Sequence, residues 1–214
     1  MSVRKDGEET RTRILEIAGD VFGEKGYRDA THAEICRRSG ANTAAINYHF
    51  RSKEKLYIEA WQTAFRNSLE AYPPDGGIAP DASAEERLRG RINSIIRRVA
   101  DPNNKSFEII YREMVNPTGL LSEAMQEAIE PVRKGMKEVI RELLGEKVPP
   151  RQAELCMTSI LAQCLHPVMR ARRSGALKGP ARSSGFEPRE MADHIAAFSL
   201  AGIREIRRQA ESGK

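Results

Sequence analysis

Cysteine is scarce in this chain: Cys36, Cys156 and Cys164 are the only three in 214 residues, and no two are close together. An odd, dispersed set excludes a disulfide framework and offers no zinc-ligand pair. Each lies in an apolar helical pattern, where a buried thiol is the ordinary state. Histidine is as thin, with His32, His49, His166 and His194 scattered and His166 following Cys164 by two positions, not three or four. No metal is therefore expected. No apolar run approaches about 18 residues, which excludes a membrane span. The opening MSVRKDGEETRTR lacks the apolar core of a signal peptide, so a cytoplasmic protein is expected. There is no glycine loop to cradle phosphate and no Ser-His-Asp set in a recognisable context, so neither catalytic residues nor a cofactor are expected. Aromatic residues make up only 6% of the chain. The apolar set is rich in Leu, Ile, Ala and Met, which favours helix over strand.

What is present is charge and helical periodicity. Charged residues are 30% of the chain and the net charge is +5. A polyanionic partner is permitted by that balance but not required. Residues 1–55 hold 11 Lys/Arg against 9 Asp/Glu, so the excess is not gathered at one end. After a polar start over residues 1–9, expected to be mobile, Ile14, Leu15, Ile17, Ala18, Val21 and Phe22 form a helical stripe that Gly26 ends. A longer helix is predicted from Ser52 or Lys53 to Tyr72. Residues 71–83, with Pro73, Pro74, Gly76, Gly77 and Pro80, form the clearest break in the chain. Further helices are predicted over Ala84–Ala100, Ser106–Val115, Leu120–Gly145, Arg151–Arg173 and Pro188–Gln209. Pro131 and Pro167 should kink or divide the helices that contain them. The stretch 175–188 reads as a basic loop. The fold class is all-α, about nine helices without strand or repeat.

Residues 27–56 carry the most specific pattern. Thr31 with Glu34 has the spacing of a capping box. Ile35 points inward, and Ser39-Gly40 closes a short helix. Asn42 or Thr43 caps a second, which reaches His49. Ile46 and Phe50 share one face of it, while Thr43/Asn47 and Ala44/Tyr48 point elsewhere. Arg37, Arg38, Arg51, Lys53 and Lys55 surround it. Two helices with a polar outward face and a basic rim suit the major groove of DNA.

The segment GANTAAINYHFRSKEKL, Gly40 to Leu56, resembles the helix-turn-helix of the TetR family of transcriptional regulators. Gly40, Ile46, His49, Phe50, Lys53, Glu54 and Leu56 fit that family's pattern. Asn47 stands where a tyrosine is usual, and Asn-Tyr-His-Phe resembles a recurrent subgroup. The NPTG and QCLHPV segments are similar to that subgroup's CecR-like C-terminal domain.

The resemblance implies an N-terminal three-helix domain over residues 8–55, with the helix-turn-helix at about 31–50. A C-terminal helical bundle over 56–212 would bind an effector and dimerise. It implies base contacts from Thr43, Ala44 and Asn47. Phosphate contacts would come from Tyr48, His49 and Lys53, with Thr31, His32 and Asn42 beside them. An effector pocket is implied at Trp61, Phe65, Phe107, Tyr111, Met114, Met157, Gln163, Cys164, His166 and Met169, with Tyr111, Gln163 and His166 as polar anchors. Ordinary core packing is the competing reading for each apolar member. A homodimer face is implied at Ile160, Leu161, Leu165, Ile195, Phe198, Gly202 and Ile206. The partners expected are an operator in double-stranded DNA, a second copy of the chain, a small apolar effector, and no membrane. The function expected is a ligand-responsive repressor on a palindromic operator. The alternative is a helical small-molecule-binding or scaffold protein without specific DNA binding.

Overall fold

The computed structural model describes residues 2–173 and 187–213. Among these residues there are nine α-helices and no strand. They are α1 (Ser2–Asp29), α2 (His32–Ser39), α3 (Thr43–Phe50), α4 (Lys53–Ala71), α5 (Ala84–Ala100), α6 (Lys105–Val115), α7 (Ser122–Leu144), α8 (Pro150–Arg173) and α9 (Pro188–Glu211). No helix of the described residues is long and apolar enough to cross a membrane. The loop expected over 175–188 falls almost wholly outside the described residues.

Two features of α1 differ from expectation. The helix begins at Ser2, so residues 2–9 are not a tail. Glu and Lys there are good helix formers, and the Thr10 hydroxyl donates to the Asp6 carbonyl, 2.8 Å away. Helical angles fail at Gly26, as expected, but one further turn reaches Asp29. Helices α7 and α8 continue through Pro131 and Pro167. Proline has a helix-compatible φ, so its cost is one lost hydrogen bond and local crowding. A long apolar face can offset that.

The chain forms two compact units. The first comprises residues 1–68 and 103–128; the second comprises 69–102 and 129–214. The first unit thus holds α6 as well as the N-terminal helices. Its core includes Ile14, Val21, Phe22, Ile35, Ile46, Phe50, Leu56, Tyr57, Trp61 and Ile109.

α6 lies along α1 at a row of glycines. A side-chain carbon added at Gly23 would come within 3.2 Å of Glu108, and at Gly19 or Gly26 it would approach Lys105 or Arg112 at 3.9 Å. The charged face of α6 is therefore packed rather than solvated. Lys105 pairs with Asp20 at 3.2 Å. Arg112 donates to the carbonyls of Gly23 and Glu24. This docking sets the rotation of α6: Phe107 and Ile109 are buried, and Met114 is 56% exposed.

The second unit packs α5 against α9 and α8. Leu88, Ile92, Ile96, Val139, Ile140, Ile160, Cys164, Ile195, Leu200 and Ile203 are its buried side chains of the i, i+3/i+4 pattern. Ser83 and Glu86 complete a capping box at the start of α5. Arg87 of α5 pairs with Glu142 of α7, and Lys137 of α7 with Glu154 of α8.

Candidate nucleic-acid interface

The geometry of α2 and α3 follows from their caps. Thr31 is extended, and its hydroxyl accepts from the Glu34 amide at 3.2 Å. Gly40 has φ of 69°, a conformation that costs an L side chain but not glycine. The Asn42 side chain accepts from the Ala45 amide at 2.8 Å and starts α3. The Ser39 hydroxyl accepts from the Ala41 amide at 3.3 Å and steadies the turn.

The two faces of α3 divide cleanly. Ile46 and Phe50 are buried and anchor it to the core. Thr43, Ala44, Asn47 and Tyr48 are exposed, Tyr48 at 82%. Expected base readers therefore stand together on one outward face. Cys36 of α2 lies 3.8 Å from the Thr43 hydroxyl, a contact between the helices that spacing did not disclose. His49 is half-buried, edge-on to Tyr48 with ring centroids 5.1 Å apart.

The basic rim is thinner than the sequence suggests. Arg38 makes a two-pronged bond to Glu24, at 2.8 and 3.1 Å, and does not serve as an open cation. That pairing holds the Glu24 carboxyl below its ordinary pKa. Lys53 donates to the Arg28 carbonyl at 3.3 Å and sits over the Tyr27 ring, 4.6 Å from its centroid. Its ammonium has donors to spare for a phosphate, but it also ties α4 to the end of α1. Tyr27 reinforces that tie by donating to Glu54 at 2.9 Å. Lys55 stands 3.9 Å from Glu59. Arg37 and Arg51 are exposed. Arg51 has φ of 64°, the one positive value outside glycine among the described residues. It carries the strain of the corner between α3 and α4.

Thr31 is exposed, while His32 is half-buried with its Nε2 enclosed and without a hydrogen-bond partner among the described residues. Asn42 spends its side-chain oxygen on the cap and leaves its amide hydrogens outward.

The expected effector residues divide between the units. In the first, Trp61 and Phe107 are buried, Phe65 stacks on Trp61 at 5.2 Å, and Tyr111 is half-buried. Met114 is exposed and lines no interior wall of its unit. In the second, Met157 and Cys164 are buried and Met169 is half-buried. Burial pushes the Cys164 thiol up to about 12, so it is a packing group. His166 is exposed, and Gln163 donates to the Ser159 carbonyl of its own helix at 3.2 Å. No group of three or more metal-ligating side chains occurs among the described residues.

On the expected dimer face, Phe198 is 64% exposed and Gly202 faces open space. Leu161, Leu165 and Ile206 are half-buried. Ile160 and Ile195 are buried in their own unit, because they sit on the sides of α8 and α9 that meet the core. Leu155 is exposed on α8.

A capped helical corner that presents one polar face above a buried apolar anchor defines a helix-turn-helix protein. Residues 14–60 match the bacterial regulatory proteins of the tetR family, and residues 84–203 match the C-terminal domain of the HTH-type transcriptional dual regulator CecR. The chain belongs to the TetR family of transcriptional regulators, with a CecR-type C-terminal domain. It is 28% identical over 156 residues to the HTH-type transcriptional regulator SrpR of Pseudomonas putida, covering 72% of this chain and 70% of that one. It is 30% identical over 149 residues to the dual regulator CecR of Shigella flexneri, covering 65% and 66%. The fold is similar to that of the regulator FadR from Bacillus subtilis in complex with stearoyl-CoA, with a TM-score of 0.66, 18 of every 20 residues aligned (90% of this chain, 98% of that one) and 16% identity.

Proposed function

We propose that this DNA-binding transcriptional regulator is a cytoplasmic, ligand-responsive repressor that holds a palindromic operator as a homodimer and leaves it when a small apolar effector binds. The observation that carries the DNA reading is the division of α3: Thr43, Ala44, Asn47 and Tyr48 exposed above buried Ile46 and Phe50. Asn47 can pair with an adenine edge, and the methyls of Thr43 and Ala44 can meet a thymine methyl. Tyr48, His49, Lys53 and the exposed Arg51 border that face and suit phosphates.

The dimer reading is supported by the exposed Phe198, Ala201 and Gly202 on α9 and by the exposed Leu155 and Ala162 on α8. Exposed apolar side chains next to small residues suit close helix contact. A two-fold pair would set its reading helices about one DNA turn apart, roughly 34–36 Å. Effector release requires that the ligand bind the DNA-free state more tightly, and the shift is bounded by that difference. The solved fold likeness in complex with stearoyl-CoA supports a ligand with a large apolar part.

Selection of genomic fragments by the purified chain, followed by mobility shift on the recovered sequences, tests the reading. Recovery of one inverted repeat bound two chains at a time is expected. Enrichment of no sequence over random DNA, or a monomer at micromolar concentration, would overturn it.

A further inference from the structure

The buried face of α4 carries Tyr57, Trp61 and Ser68, spaced by four and seven residues. Each of the three brings one polar group into the interior. Tyr57 donates its hydroxyl to Glu113 at 3.0 Å. Ser68 donates its hydroxyl to the Phe65 carbonyl at 2.7 Å. Trp61, between them, is fully buried, and its indole Nε1 has no hydrogen-bond partner among the described residues. An indole N–H can only donate, so no change of tautomer or rotor supplies a partner. Buried donors are nearly always paired, and an orphan calls for an explanation. One face of the indole is occupied by Phe65, stacked at 5.2 Å and 17°. The polar edge is enclosed as well, so an acceptor that meets it must come from within the interior.

We infer that the Trp61 indole N–H is the polar anchor of the effector site, and that the effector is an apolar molecule bearing a neutral acceptor oxygen such as a ketone, ester or amide carbonyl. This rests on the effector reading proposed above and replaces the anchors Gln163 and His166. Neutrality follows from the neighbourhood. One helical turn from Trp61, the Tyr57 hydroxyl holds the Glu113 carboxylate. Glu113 also accepts from the Thr118 and Gly119 amides at 2.8 and 2.9 Å, which fixes that negative charge in place. A carboxylate ligand at the indole would lose its hydration and gain a like charge nearby.

The test uses the full chain and three probes of matched length: 2-undecanone, its isostere 2-methyl-1-undecene, and undecanoate. Trp61 is the only tryptophan, so ¹⁵N-labelled protein gives one indole N–H signal. The ketone is expected to shift that signal downfield and the alkene to leave it in place. The ketone is also expected to bind about tenfold more tightly than the alkene, equivalent to about 1.4 kcal/mol, and at least about fivefold more tightly than undecanoate. In Trp61→Phe the ketone and alkene should bind alike. If that variant does not fold, the wild-type signal alone decides. Equal ketone and alkene binding, or ketone binding without movement of the indole signal, overturns the anchor while leaving an effector site in place. Tighter binding of undecanoate overturns the neutral acceptor. Saturable binding of none of the three overturns the anchor together with the effector reading.

Discussion

The two compact units use the same helical periodicity to different ends. In the first, α3 is eight residues long and pinned by two buried side chains, so Thr43, Ala44, Asn47 and Tyr48 face outward. Its outward face is polar and distinctive. In the second, α8 and α9 are each 24 residues long and apolar over much of their circumference. Some of those apolar positions close the unit's own core, and others remain open. Neighbouring residues show the contrast. Tyr48 is 82% exposed while Phe50 is buried; Phe198 is 64% exposed while Ile195 is buried. In the first unit chemistry distinguishes surface from core. In the second the surface and core residues look alike, and only their angular position on the helix separates them.

Paired substitutions sharpen this comparison. The largest effect is expected for Phe50→Ala, which should cost about 3–5 kcal/mol in denaturant unfolding, against under about 0.5 kcal/mol for Tyr48→Ala. Comparable losses from both would mean that the outward face of α3 is packed after all. In the second unit, Ile195→Ala should lower stability by about 2–5 kcal/mol. Phe198→Ala should leave helicity intact and weaken self-association, read by sedimentation over a concentration series. A Phe198 variant that still pairs like the parent would move the dimer contact elsewhere.

Smaller effects are expected in DNA binding. Asn47→Ala should lose about 1–3 kcal/mol of discrimination between operator and random DNA, with random affinity nearly unchanged. Lys53→Ala should weaken all sequences together and reduce the salt slope by about 1. Because Lys53 also braces α4 against α1, a small fall in thermal stability should accompany that loss. The smallest effect concerns acid. Arg38 holds the Glu24 carboxyl below its ordinary value of 4.5. The pair therefore contributes stability above that value and loses it as pH falls through the lowered one. Arg38→Ala should lower stability slightly at pH 7, where the pair's contribution is fully present, and flatten the acid limb from pH 5 downward, so that variant and parent converge in acid. An unchanged acid limb would show that the pair is energetically silent, as exposed pairs often are.

The helix-turn-helix was legible because its determinants are local. Thr31, Gly40 and Asn42 act within three or four residues of themselves and cap the helices where the spacing indicated, although the Glu34 side chain pairs with Lys25 on α1 at 2.6 Å instead of closing a capping box with Thr31. The family resemblance over Gly40–Leu56 added the roles of individual side chains. The α1–α6 seam was not legible. Gly26 reads only as the end of a helical stripe, and nothing in the spacing links Gly19, Gly23 and Gly26 of α1 to Lys105, Glu108 and Arg112 of α6. Together they form one packed contact between segments over 80 residues apart. The rotation of α6 followed from that contact, which leaves Met114 exposed and buries Ile109. Arg38 and Lys53 were assigned to an open rim for a similar reason. Their partners, Glu24, Tyr27 and Arg28, lie on α1.

By itself, the order of residues determined the helical class, the position of nearly every helix, the caps of the reading corner and the side of α3 that would turn outward. Those depend on backbone preferences and on apolar spacing within a few turns, which short segments contain in full. Tertiary structure alone decided which charges were consumed by ion pairs, which apolar side chains of α8 and α9 remained uncovered, and which buried donor was left over on α4. Such outcomes depend on what a distant segment brings to the same place, and free energy at a contact belongs to both sides of it.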